Sequence, residues 1–236
     1  MIRNTLLVLS SCAACLLAGE AVTRTVFNPI DFLKVSLVED PVLSYKIPPK
    51  ESGHDANGFR NKSIPDHVDV LAIGDSMTYG VMATTDQSWP AQLGNITGSA
   101  VYNAGIGGYG LPHYLHNIKT LTPDLSPQTI VMAVYVGNDF LDTYNLVYNK
   151  EHWKEYPDPG NTDTVEDEPL LSPVSGRFLG GTRDWLSHTS VLYRVATQNA
   201  SFDKARIQER YKSAEQSYLI DHGAAPVLLS QNTLAY

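Results

Sequence analysis

Residues 71–81, LAIGDSMTYGV, decide how this chain is read. A short apolar run (Val68, Val70, Leu71, Ala72, Ile73) stops at Gly74-Asp75-Ser76, and Thr78 opens a helical pattern. An apolar strand that ends in a small-residue turn and feeds a helix places that turn at the carboxyl edge of a parallel sheet. Open α/β folds bind their ligands along this edge. Unpaired N–H groups at the start of the helix point there too, so negative charge formed beside Ser76 is stabilised. Ser76 is therefore a candidate nucleophile, although the position equally suits a serine that only caps its helix.

The downstream sequence repeats the strand-then-helix pattern. Residues 88–93 read as part of a helix, with Trp89 and Leu93 one turn apart on its buried face. Residues 100–104 form a second short strand, followed by Gly105-Ile106-Gly107-Gly108-Tyr109-Gly110. Pro112 suits the first turn of the next helix, whose apolar stripe is Leu115, Ile118 and Leu121. Residues 129–136 (TIVMAVYV) read as a buried strand that ends in Gly137-Asn138-Asp139. Continuous apolar strands separated by helices indicate a parallel sheet covered on both faces.

Three turns then emerge on one sheet edge: 74–76, 103–108 and 137–139. Together they suit acyl transfer. A serine attacking a carbonyl creates an oxyanion that needs preorganised donors about 3 Å away. The Ser76 N–H, an N–H in the glycine turn and the Asn138 amide supply three. Each part has a plainer reading. The glycine run lacks dinucleotide spacing and has no following lysine, which argues against a phosphate loop. Asn138 alone suits a turn cap.

Elsewhere the chain sets bounds. Its 236 residues accommodate one sizeable α/β domain, or a domain plus a tail, and its net charge of -8 argues against a nucleic-acid backbone as partner. Cys12 and Cys15 both lie in the first apolar segment, which leaves no disulfide, zinc site or thiol nucleophile downstream. In residues 1–22, Arg3 precedes an apolar run over 5–19, the layout of a secretory signal. A signal cleaved near Gly19-Glu20-Ala21, a lipoprotein-like box at Cys12 and an uncleaved anchor are the readings, and the run length favours the anchor. Residues 23–65, broken by Pro41, Pro48, Pro49, Gly53 and Gly58, read as an extended lead-in to a domain over 66–236. An insertion at about 140–187 contains an acidic stretch over 157–169, read as a solvated loop and not as a metal site. Residues 204–222 read as a helix stopped by Gly223, and 225–230 as a fourth strand.

The segments IGDSMTYG, NAGIGG and GND resemble the first three sequence blocks of the SGNH/GDSL hydrolases. The resemblance spans residues 69–139 and implies a three-layer α/β/α flavodoxin-like fold and a serine esterase or lipase. It implies Ser76 as nucleophile, Gly108 and Asn138 as partners in the oxyanion hole, Asp75 in support, and no cofactor or metal. NGFR before the first block, and SWP and NAGIGGYG after it, are similar to bacterial exported members of the family. The family's last block, an aspartate and a histidine three positions apart, has no counterpart here. Asp66-His67 and Asp221-His222 are too close, and Asp184 and His188 one residue too far apart. His222 precedes the fourth strand and so falls at the opposite edge, about 20 Å from Ser76. His113 and His116 lie on the correct edge but read as helix-surface residues. The chain accordingly reads as truncated before its last strand. The expected substrates are small-molecule or polysaccharide esters, carbohydrate O-acetyl or lipid acyl, with the membrane as a second partner through residues 1–22. An O-acyltransferase for extracellular polysaccharide and a non-catalytic carbohydrate-binding protein are the alternatives.

Overall fold

The computed structural model describes residues 2–81, 83–156 and 179–198. They form a mixed α/β structure whose centre is a three-stranded parallel sheet flanked by helices. The central strand is β3 (Val70–Gly74), and Leu71, Ala72 and Ile73 are fully buried in it. It pairs with β4 (Val101–Gly105), Gly74 opposite Gly105, and on its other side with β5 (Thr129–Met132), Ile73 opposite Met132. In-register parallel pairing brings the three strand ends to one edge, as the alternating pattern predicts.

The expected strand over 129–136 is shorter and wetter than its composition suggests. The strand ends at Met132, with a last bond from the Ala133 N–H to the Ile73 carbonyl, and Ile130, Met132, Val134 and Val136 are exposed. Among the described residues β5 pairs only with β3 and so lies at an edge of the described sheet. The expected helix over 204–222 and strand over 225–230 lie outside the described residues, as do His222 and the acidic stretch over 157–169.

The longer helices between the strands are α4 (Trp89–Thr97), closed by Gly98 in the left-handed region, and α5 (Leu111–Leu125). The predicted stripe on α5 holds in part, since Leu121 is buried and Ile118 packs on the core. Leu115 is exposed, and the buried face is His113, Tyr114, Asn117 and Leu121. These polar-tipped residues go inward because their tips find partners. The Tyr114 hydroxyl donates to Asp139, and His113 bonds at both ring nitrogens. After β5 comes α6 (Asp139–Asn149), and the chain returns as α7 (Gly180–Thr189) and α8 (Val191–Gln198).

The lead-in over 23–65 packs on the sheet. Helix α1 (Ile2–Val26) is followed by α2 (Pro29–Phe32), whose first turn is capped by the Asn28 side chain. A small antiparallel hairpin, β1 (Val38–Asp40) with β2 (Ser44–Lys46), turns where Asp40 accepts from the N–H groups of Val42 and Leu43. Leu43, Ile47 and Phe59 join Val68, Leu71 and Tyr102 in one core cluster. Asn61 extends the sheet with a side chain. Its amide donates to the Asn103 carbonyl, and its oxygen accepts from the Asn103 N–H, as a neighbouring strand would.

Candidate active site

The turn after β3 depends on two glycines. A Cβ on Gly74 would lie 2.0 Å from Thr78 Oγ1, and one on Gly105 would lie 2.4 Å from the Tyr79 nitrogen. Without side chains there, the short helix α3 (Ser76–Tyr79) settles directly onto the strand ends. Asp75 caps that helix. One carboxylate oxygen accepts from the Met77 N–H at 2.8 Å and the other from Ser76 Oγ at 3.1 Å. The capping role that Ser76 was weighed for thus belongs to Asp75, which is fully buried. Ser76 itself sits at the first helical position, half-buried, and its N–H has no acceptor among the described residues.

The glycine turn lies against it. The Ile106 N–H donates to the Gly74 carbonyl, and a Cβ on Gly107 would be 3.5 Å from the Ser76 Cβ. Gly108 has φ +75, in the left-handed region that glycine adopts freely. From the hairpin, Tyr45 reaches over this turn and donates its hydroxyl to the Gly107 carbonyl at 2.8 Å. A Cβ on Gly108 would stand 2.2 Å from that hydroxyl, so the turn is fixed by what covers it. No acceptor meets the Gly108 N–H among the described residues.

Asn138 stands at the start of α6 and does not cap it with its side chain. Its amide donates to Asp142 at 2.6 Å, which orients the group and leaves the second amide hydrogen for another acceptor. The neighbouring Asp139 is fully buried. It accepts from the Tyr114 hydroxyl and the Tyr135 N–H on one oxygen, and the other has no partner among the described residues. Burial raises the Asp139 carboxyl above its ordinary range and pushes Asp142 up to about 6. The charges of Asp139 and Asp75 add to the rise at Asp142, against the lowering effect of the Asn138 bond.

The described histidines all face elsewhere. His113, predicted on the helix surface, is buried and stacked 4.1 Å from Tyr109. Its Nδ1 accepts from the Gly110 N–H and its Nε2 donates to the Leu43 carbonyl, while burial lowers it to about 4. It is a packed neutral ring with both nitrogens engaged. His116 is half-buried, and His54 joins the Glu51 carbonyl to the Tyr79 hydroxyl. His188 lies 3.7 Å from Asp184, and its nearer partner is Ser36 of the lead-in, at 3.1 Å. Among the described residues no histidine is hydrogen-bonded to Ser76.

Some of the surroundings have contacts that the sequence leaves unassigned. Arg60, in the NGFR segment, is buried and paired with the equally buried Asp31 at 2.7 Å. It also donates to the carbonyls of Tyr79, Gly80 and Ala83, around the end of α3. Asp31 in turn accepts from the N–H and hydroxyl of Thr85. The lead-in therefore holds the loop that follows the candidate nucleophile. The only available hint of Asp142 was its position four residues after Asn138, one helical turn along the same face. Comparisons with models of known families, with curated proteins and with solved structures find no match.

Proposed function

We propose that the chain is an exported serine hydrolase of the SGNH/GDSL type, cleaving an ester through an acyl-enzyme on Ser76. The observation that carries this reading is the meeting of Ser76 with the Gly107–Gly108 turn at the carboxyl edge of the parallel sheet. The three-layer flavodoxin-like arrangement belongs to the same proposal. It is supported by a strand order in which the first strand of the sheet lies between the second and the third.

In this mechanism Ser76 Oγ attacks the ester carbonyl, and the carbonyl oxygen takes up the negative charge. The N–H groups of Ser76 and Gly108 and the free Asn138 amide hydrogen are its donors. Collapse of the intermediate expels the alcohol and leaves the acyl group on Ser76, and water then releases the acid. A general base must take the serine proton. The resemblance assigns that work to an aspartate and a histidine three positions apart, a pair without a counterpart among these 236 residues. Asp75 caps α3 and so fixes the direction of Ser76. The substrate is a small-molecule or polysaccharide ester, carbohydrate O-acetyl or lipid acyl, and the apolar N-terminal segment directs the domain out of the cytoplasm.

The test is Ser76→Ala in the full-length protein, assayed on a short-chain aryl ester. Turnover and fluorophosphonate labelling should both vanish, with the circular dichroism spectrum unchanged. Residual activity above roughly a tenth of the parent would exclude Ser76 as nucleophile, because loss of a catalytic serine removes several orders of magnitude.

A further inference from the structure

The apolar N-terminal helix is long enough to cross a bilayer. Within Arg3–Val26 an 18-residue window has mean hydropathy 1.9, and none of that window is buried. The same length and composition fit a signal that is cut off and an anchor that stays. The contacts at the far end of α1 distinguish them.

Helix α1 does not stop with its apolar run but continues unbroken to Val26. Glu20 lies inside it, and its carboxylate reaches the first turn of α8. One oxygen accepts from the Val191 N–H at 3.0 Å. The other accepts from the Leu192 N–H at 3.0 Å and the Ser190 hydroxyl at 2.7 Å. A carboxylate at a helix start satisfies unpaired donors and complements the positive end of the dipole. One turn on, Arg24 pairs with Glu20 and donates to the Thr189 carbonyl, at the end of α7. Gly19 completes the joint, since a Cβ there would stand 3.2 Å from a Leu192 methyl group. Beyond the joint, Arg194 donates to the Phe32 carbonyl and Lys34 pairs with Asp184.

We propose that α1 is retained in the mature protein as a bilayer anchor whose last two turns are a structural part of the domain, fastened through Glu20 to α8. Its apolar face has the lipid bilayer as partner. Leu6, Leu7, Val8, Leu9, Leu16 and Leu17 are all exposed, and Arg3 flanks them on the side away from the domain. Cleavage after Ala21 would remove Glu20 and Gly19 and strand the donors of Ser190, Val191 and Leu192. The small residues that resemble a processing site are explained by packing: Gly19 is small because α8 rests on it. Only Phe27 and Asn28 separate α1 from α2, so the domain is carried directly on the anchor.

The experiment uses the complete protein with a C-terminal tag, expressed in signal-peptidase-competent bacteria. The expected result is an intact mass that includes residues 3–21 and a membrane pellet that survives an alkaline carbonate wash. A mature chain beginning at or near Val22, or release by the wash, overturns retention. A second arm tests the fastening. Glu20→Ala should leave the protein in the membrane while tryptic cleavage at Arg183 and Arg194 accelerates about fivefold or more, as loss of a helix cap implies. Unchanged cleavage overturns the role of Glu20.

Discussion

Asp142 orients the Asn138 amide, yet it brings a carboxylate close to where an oxyanion would form. Burial and the charges of Asp139 and Asp75 push its carboxyl from 3.8 to about 6. A carboxyl raised on folding favours the folded state while protonated. That contribution is complete below about pH 4 and is lost as pH rises through about 6. Asp142→Asn keeps an acceptor for Asn138 and removes the ionisation. The variant should therefore unfold at a higher temperature than the parent at pH 8, with the gap closing toward pH 4. A gap independent of pH in thermal melts would show that Asp142 does not titrate this way. At this scale the sequence exposed the residues that sit in turns. Gly74, Asp75, Ser76, Gly108 and Asn138 all interrupt apolar runs, and interruption is visible in one dimension. Asp142 and Tyr45 are placed by folding and leave no comparable mark.

Among the elements, the lead-in differs most from its sequence. Its prolines and glycines remove periodicity, and periodicity is the signal by which a single sequence reveals elements. Its structure is built from capped turns and from Arg60, whose partners are mostly backbone carbonyls. Removing one member of a buried ion pair typically costs about 3–5 kcal/mol. Arg60→Met should cost that much, since it strips Asp31 and three carbonyls of a donor. Arg60→Lys should rescue little, because a single ammonium cannot span acceptors set out for a planar fork. Denaturant titration of the two variants and of Arg60→Met with Asp31→Leu is the measurement. A single-variant loss below about 1 kcal/mol would remove Arg60 from its structural role. For α5 the helix itself was legible and its buried face only in part. Hydrophobicity ranks Leu115 above His113, and only the tertiary partners of His113 and Tyr114 reverse that order.

In the whole molecule, the parallel sheet and the common edge of its three turns were legible because strand and helix periods differ. The depth of each strand was not, since burial depends on which neighbours arrive. Leu71 and Met132 illustrate this. Both are apolar strand residues, one fully buried and the other half-exposed. Leu71→Ala should cost about 2–5 kcal/mol and Met132→Ala less than about 1 kcal/mol in thermal shift. Equal costs would mean that Met132 is as enclosed as Leu71.

The joint at Glu20 also has a consequence in time. It links residues 170 positions apart, whereas Tyr45 meets Gly107 across 62 and Arg60 meets Ala83 across 23. Contacts over short separations close early, and those over long ones wait for the chain to be made. On the ribosome, then, α1 is made well before α8 and is fastened only after α8 has emerged. The sheet and its three turns assemble while their N-terminal helix is still a free end.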